Sequence, residues 1–251
     1  MSAINAQNAT EAIDLCVLAN RILANEGLFD GFGHVSVRNP ENPQTFFQSC
    51  SVSPEFVNHD DILELDLEGN VVTKTDKKPY GERVIHSAIL KARPDVNAIY
   101  HGHPFEVIPF SSLNIPIRPI IYPGSMFYEG IPLYDAYDVS CGMLVTSKEE
   151  GARLARVLGM KRGLIMRDHG LVVVGENVPL MVNGAIFCRD NAKVQYQTLA
   201  LGANPKYISY EEGYEAFRKV TNDLTVSRMW DYWVKRVRKS NMAIERREYG
   251  R

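Results

Sequence analysis

Ala98-Ile99-Tyr100-His101-Gly102-His103-Pro104 reads as an apolar strand that ends on two histidines separated by one glycine. Alternate residues of an extended segment point the same way, so both imidazoles can address one point in space. Imidazole is the commonest protein ligand for zinc-like cations. Two of the six histidines in the chain therefore stand on one short turn. By itself the pair also fits two unrelated turn histidines, and the flanking sequence decides between these readings.

On either side of this stretch, short strands alternate with helices. Residues 9–26 carry Leu15, Leu18, Ala19, Ile22 and Leu23 at helical spacing and stop at Gly27. A Gly31-Phe32-Gly33 loop leads into a strand, His34–Arg38. Further strands are expected at Thr45–Gln48, Ile62–Leu67 and Val71–Thr73, the last two joined by a Glu68-Gly69-Asn70 turn. A helix follows at Glu82–Ala92, and residues 109–135, rich in proline and glycine, read as loops and short strands. Beyond them come a helix Lys148–Leu158 and strands Leu164–Met166 and Leu171–Val174 around Arg167-Asp168-His169-Gly170. A long helix Pro179–Leu199 and helical stretches near 209–220 and 225–239 close the pattern. Hairpin and non-hairpin links mix, which implies an α/β or α+β sandwich in one domain over residues 1–251.

With 45% hydrophobic and 23% charged residues in 251, the chain has the composition of a soluble globular protein with a substantial core. A net charge of −2 gives no electrostatic reason to expect nucleic acid or an anionic membrane. The basic run Lys235, Arg236, Arg238, Lys239, Arg246 and Arg247 reads as a solvated helix face or an interface. No secretory leader or membrane-length apolar run is visible. Cys16, Cys50, Cys141 and Cys188 are scattered without a Cys-x-x-Cys pair, as buried thiols in a reducing cytoplasm would be.

A third histidine, His169, lies in the strand–turn–strand element, where Gly170 permits a tight backbone. Catalytic zinc-type sites use three protein ligands and keep a position open, and His101, His103 and His169 would supply that set. Glu82 opens its helix as either a dipole-favoured cap, a fourth ligand or a proton-transfer carboxylate. His86, four residues on, reads as a packed or hydrogen-bonded helix residue. Tyr128, Tyr134 and Tyr137 read as packing or capping groups, Trp230, Tyr232 and Trp233 as core or interface, and His59 as a surface turn residue.

Taken together these pieces resemble the class II aldolase/adducin family, from about residue 10 to 235. The match runs in order through Gly33-His34-Val35-Ser36-Val37-Arg38, Val52-Ser53-Pro54, Gly81-Glu82-Arg83 with His86, His101-Gly102-His103 and Asp168-His169-Gly170. The resemblance implies a central, mainly antiparallel sheet between helical layers, a three-layer sandwich. It also implies one divalent metal per subunit on His101, His103 and His169, with Glu82 as ligand or acid/base. A homotetramer with active sites at subunit boundaries is implied too. Mn or Zn suits such a ligand set, with Fe, Co, Ni and Mg as further candidates.

Two departures bear on substrate. Sugar-phosphate aldolases of the family usually carry Asn where this chain has His34. They bind phosphate with Ser/Gly-rich loops where it has Ser53-Pro54-Glu55-Phe56 and Tyr80-Gly81-Glu82. A phosphate dianion needs several NH or OH donors and positive charge, which Glu55 and Phe56 would oppose. Gly-His-Val-Ser, Glu-Arg-Val-Ile-His and Ala-Arg-Pro-Asp-Val-Asn-Ala are similar to the family's decarboxylase branch, which acts on hydroxylated aromatic, heteroaromatic or muconate-type carboxylates in ring degradation. The expectation is metal-assisted, non-oxidative decarboxylation through an enolate. His34, because imidazole titrates near neutral pH, and Glu82 are the candidates to protonate carbon. Arg38 and Arg83 are candidate clamps for a substrate carboxylate, or structural braces. Ser53 is a further candidate substrate contact. The alternatives are an aldolase for a non-phosphorylated hydroxy-keto acid and a non-catalytic scaffold like the adducin head.

Overall fold

The computed structural model describes residues 5–202 and 204–248, with side chains only up to Ser240 along the last helix. Its elements are α1 (Ala9–Asn25), β1 (His34–Arg38), β2 (Thr45–Ser49), β3 (Ile62–Asp66), α2 (Arg83–Ala92) and β4 (Ala98–Gly102). They continue with α3 (Ile108–Ser112), β5 (Leu133–Tyr134), α4 (Lys148–Leu158), β6 (Gly163–Met166) and β7 (Gly170–Gly175). The chain then runs through α5 (Val178–Ala200), α6 (Tyr210–Val220) and α7 (Asp223–Glu248).

Among the described residues, seven strands form one sheet in the order β3-β2-β1-β4-β7-β6-β5. Every neighbouring pair is antiparallel except β5 with β6. The period-2 pleat divides the strands cleanly between two cores. Val35, Val37, Ala98, Tyr100, Leu171 and Val173 face a layer built from α1, α5 and α7. Phe46, Ile99, Leu164, Val172 and Val174 face α2 and α4. Because both faces are covered, β1 is buried along its whole length, where a one-sided strand would alternate. Ile85 and Ile89 of α2 are fully buried, which stabilises the docked helix by about 1.5–3 kcal/mol each.

Most expected elements coincide with observed ones; three differ. Val71–Thr73 is no strand: beyond the tight Gly69 turn it makes one isolated bridge, Val71 to Leu65, and the Val72 amide donates to the Glu64 carbonyl at 2.8 Å, without a continuous ladder. The proline-rich middle holds a short helix, α3, and a 3-10 turn, Tyr122–Phe127, because Pro109 and Pro123 sit in first turns, where their missing N–H costs nothing. The final helix runs to Glu248, past the expected 239. On it Trp233 is buried and donates Nε1–H to Asn183 Oδ1 at 3.0 Å, while Arg236 pairs with Glu26 at 2.7 Å. Arg246 and Arg247 have side chains outside the described residues. All four cysteines are free. No described helix is long and apolar enough to cross a membrane.

Arg38 corrects one expectation. It lies at the far end of β1 from His34, about 13 Å away at strand rise. Its guanidinium is consumed by the carbonyls of Val96, Pro43, Leu90 and Arg93 at 2.7–3.0 Å. It ties the β1 end to the α2–β4 connection with four of its five N–H donors. Arg38→Met is expected to lower stability by about 2–4 kcal/mol, since four carbonyls, three of them in buried contacts, lose a charged partner, and to leave turnover per folded molecule unchanged. Urea unfolding beside a specific-activity measurement checks this. An equally stable but inactive variant would return Arg38 to the site.

Candidate active site

β1 and β4 pair with His34 opposite His101, and β7 runs beside β4 with Leu171 opposite Gly102. The β6–β7 turn is thereby brought over the end of β4, and His169 meets His101 and His103. Ring centroids stand 5.1–5.3 Å apart around this triangle. The approach is close enough to require glycine. A Cβ at Gly170 would lie 2.4 Å from the Gly102 carbonyl oxygen and 2.9 Å from the His103 ring.

Glu82, the N-cap of α2, completes the cluster from the helical layer. Its Oε2 lies 3.4 Å from His101 Nε2 and 3.6 Å from His169 Nε2, while Oε1 accepts from the Val145 amide at 3.0 Å. One ligand atom from each of Glu82, His101, His103 and His169 falls within 4.8 Å of the others. A tetrahedral ion with bonds of about 2.0–2.1 Å needs ligand atoms ~3.4 Å apart, so the set is slightly open. His101 Nδ1 and Nε2 and His103 Nε2 are buried without any hydrogen-bond partner. Such orphans are costly unless something occupies their lone pairs. His169 is oriented by its Nδ1, which donates to the Met143 carbonyl at 2.9 Å and leaves Nε2 for the cluster. The residues fit a divalent cation.

Electrostatics agree. Burial opposes ionisation of Glu82, but the facing His101, His169 and His34 outweigh it and hold the carboxyl at about 2. Burial, and then His101 and His169, push His103 down to about 4, and burial and His101 also lower His169. Imidazoles kept neutral are ready to bind metal. In metal-free protein the unfolded chain takes up protons on these histidines near 6.5, before the folded one does. Stability is therefore complete above 6.5 and falls as pH drops toward 4. Glu82 adds a second loss between 4.5 and 2. Urea midpoints of the metal-free protein should decline steadily from pH 6.5 to 4; a flat profile across that range would contradict the neutral cluster.

His34 is buried at the back of a cavity of about 360 Å³ that also reaches Glu82, His103 and His169. Its Nδ1 meets His86 Nε2 at 2.7 Å and Gln48 Nε2 at 3.3 Å. Burial, then His86 and His101, holds its pKa well below 6.5. The expectation that His34 titrates near neutrality is thus corrected: its environment keeps it neutral. The rest of the cavity wall is Phe32, Gly33, Tyr80, Gly81, Leu144 and Thr146, with no lysine or arginine among the described residues.

Neither Arg83 nor Ser53 is among these lining residues. Arg83 braces the β3 turn, donating Nε–H to the Gly69 carbonyl at 2.7 Å and Nη1–H to the Tyr80 carbonyl at 2.9 Å. Ser53 caps a 3-10 turn without using its side chain. Glu55 and Phe56 are exposed and also lie off the wall. As opponents of phosphate they therefore have no contact with the cavity within this chain; what disfavours phosphate is a wall without lysine or arginine among the described residues.

Sequence reasoning passed over Tyr80, Leu144, Thr146 and the Met143 carbonyl. Tyr80 packs against His34 with ring centroids 4.5 Å apart and planes tilted by 49°, and it lies two residues before Glu82, so its position beside the motif was an available signal. The loop 143–146 lies about sixty residues from Glu82 and carries no marked chemistry. Tyr137 lies 6.4 Å from His169 and donates its hydroxyl to the Arg167 carbonyl at 3.2 Å. Tyr128 packs among Tyr210, Tyr214 and Phe217. His59 is exposed and pairs with Asp14.

Comparison with known proteins adds lineage to geometry. A family model described as the Class II Aldolase and Adducin N-terminal domain matches residues 14–196. The decarboxylase tropJ of Talaromyces stipitatus is 29% identical over 240 residues, 86% of this chain and 90% of its own. A 3,4-dihydroxyphthalate decarboxylase of Arthrobacter keyseri is 31% identical over 215 residues, 80% and 83% of the two chains. Among solved structures, an L-fuculose 1-phosphate aldolase from Glaciozyma antarctica PI12 superposes with a TM-score of 0.79 at 24% identity, over 97% and 94%.

Proposed function

Because this chain belongs to the class II aldolase and adducin family, we propose that it is a carboxy-lyase: a divalent-metal-dependent, non-oxidative decarboxylase of a hydroxylated aromatic, heteroaromatic or muconate-type carboxylate in ring degradation. It acts as one domain within a homotetramer whose sites lie at subunit boundaries. The observation that carries the reading is the pairing of a three-histidine, one-carboxylate cluster, in which the His101 nitrogens and His103 Nε2 are buried without partners, with an adjoining wall of Phe32, Tyr80 and Leu144 that holds no lysine or arginine among the described residues. A flat ring gains from such a wall, whereas a phosphate dianion would find no charged partner on it. Two relatives named as decarboxylases across most of their lengths support the same side.

A cation on His101, His103, His169 and Glu82, with Mn or Zn best suited to that set, would act as a Lewis acid toward negative charge on the substrate oxygen beside the leaving carboxylate. Glu82 is ionised and therefore starts as a base. It takes the proton of the substrate's adjacent hydroxyl and returns it to the carbon bearing the carboxylate. The C–C bond then breaks, CO2 leaves, and its electron pair passes into the ring as an enolate, which solvent reprotonates on oxygen. His34 keeps Nδ1 on His86 and Gln48, so Nε2 is the nitrogen that meets the cavity, where it donates to charge developing on substrate oxygen. His34→Asn should keep its metal and lose ~10²–10³ in turnover, the usual cost of one such donor. Unchanged turnover would remove His34 from the reaction.

The discriminating experiment loads the protein with Mn or Zn and screens ortho-hydroxy aromatic carboxylates and hydroxy-keto acids. Release of CO2 supports decarboxylation; release of an aldehyde replaces it with retro-aldol cleavage at the same cluster. Failure to take up any divalent metal would leave only a scaffold.

A further inference from the structure

His34 and Ser36 project from the same face of β1, toward α2, and Gln48 is Ser36's cross-strand partner on β2. Over them α2 places His86, which is fully buried. The four side chains form an unbroken line. Ser36 Oγ lies 2.6 Å from His86 Nδ1, and His86 Nε2 lies 2.7 Å from His34 Nδ1, on which Gln48 Nε2 also converges. None of these contacts touches the four-residue cluster directly.

Two polarities are open to this line, and they differ in what becomes of the Ser36 hydroxyl proton. If the Ser36 hydroxyl donates, His86 Nδ1 is its acceptor. His86 then donates from Nε2 to His34 Nδ1, which offers its lone pair. Reversed, His86 would donate to Ser36, whose own hydroxyl proton would have no acceptor among the described residues in a fully buried place. An unsatisfied buried donor of that kind is costly enough to favour the first arrangement by about fivefold or more.

We infer that His86 is a positioning residue: backed by the Ser36 hydroxyl, it holds His34 in the tautomer that carries its proton on Nε2, the nitrogen turned to the cavity. A neutral imidazole fixed this way is a hydrogen-bond donor and not a proton source, and Glu82 alone carries the proton. The role of His34 toward substrate rests on the decarboxylase reading; the tautomer does not.

The test therefore reads the tautomer first. Two-bond ¹⁵N–¹H spectra of histidine-labelled protein, recorded metal-free and zinc-loaded, assign His34 by its loss in His34→Asn. The expected pattern is a protonated Nε2 and a bare Nδ1. In Ser36→Ala, which removes one hydroxyl and keeps the packing, and in His86→Phe, His34 should become a mixture of tautomers. With a substrate in hand, kcat of Ser36→Ala should fall about tenfold while KM and zinc content stay unchanged, and Ser36→Thr should restore both tautomer and kcat. Protonation of His34 on Nδ1 in the parent protein overturns the inference, as does an unaltered tautomer in Ser36→Ala. If the tautomer is locked and released as described but no acid yields CO2, the decarboxylase reading fails and the inference stands.

Discussion

His101→Ala or His169→Ala protein is expected to emerge from dialysis without its divalent metal and without measurable turnover. Each ring contributes a nitrogen to a four-atom cluster within 4.8 Å, and nothing else within it replaces a lost one. Loss of a group that merely orients a ligand typically weakens metal binding 10–100-fold, so loss of a ligand itself should exceed that. Lewis-acid stabilisation is worth several kcal/mol, hence ~10³-fold or more in rate. His169 is the cleaner position, since it lies on a turn, whereas His101 is fully buried in the central strand β4. Metal analysis by mass spectrometry alongside CO2 release makes the measurement. A His169→Ala protein retaining stoichiometric metal and full activity would end the case for this cluster.

Glu82→Gln should separate holding the cation from moving the proton. The amide keeps an oxygen to accept from the Val145 N–H, so the start of α2 and the loop before α4 stay in place. What disappears is a carboxylate held at about 2, ionised at every working pH. Turnover is expected to fall by ~10²–10⁴, the range for a lost proton-transfer group, while the three histidines still bind metal at reduced affinity. Because the Glu82 pKa is so low, its titration cannot produce an acidic limb near pH 5–6 in the parent enzyme. A Glu82→Gln enzyme saturated with metal and still fully active would transfer the proton's path to another group.

The secondary elements were legible because their signals are local. α4 occupies Lys148–Leu158, as its spacing implies, and β1, β4, β6 and β7 fall within a residue or two of expectation. The site's core was legible for a related reason. His101-Gly102-His103 and Asp168-His169-Gly170 carry both the ligands and the glycines that let two backbones approach, so chemistry and geometry are written together. Arg38 and Arg83 were misleading because a guanidinium suits a substrate carboxylate and a backbone carbonyl equally well. Only the position of Val96, Leu90 and Gly69 decides which it meets.

By itself, then, the sequence determined the helices and strands, the metal-type histidines and their carboxylate, and the family that combines them. Tertiary structure alone decided which polar side chains share a face. The antiparallel register sets His34 opposite His101 and lays His86 over Ser36. It also brings the 143–146 loop to a glutamate some sixty residues away. The physical reason is that hydrophobic periodicity fixes which face of an element is buried, whereas the partner of a buried polar atom depends on strand order and register, which no local pattern encodes.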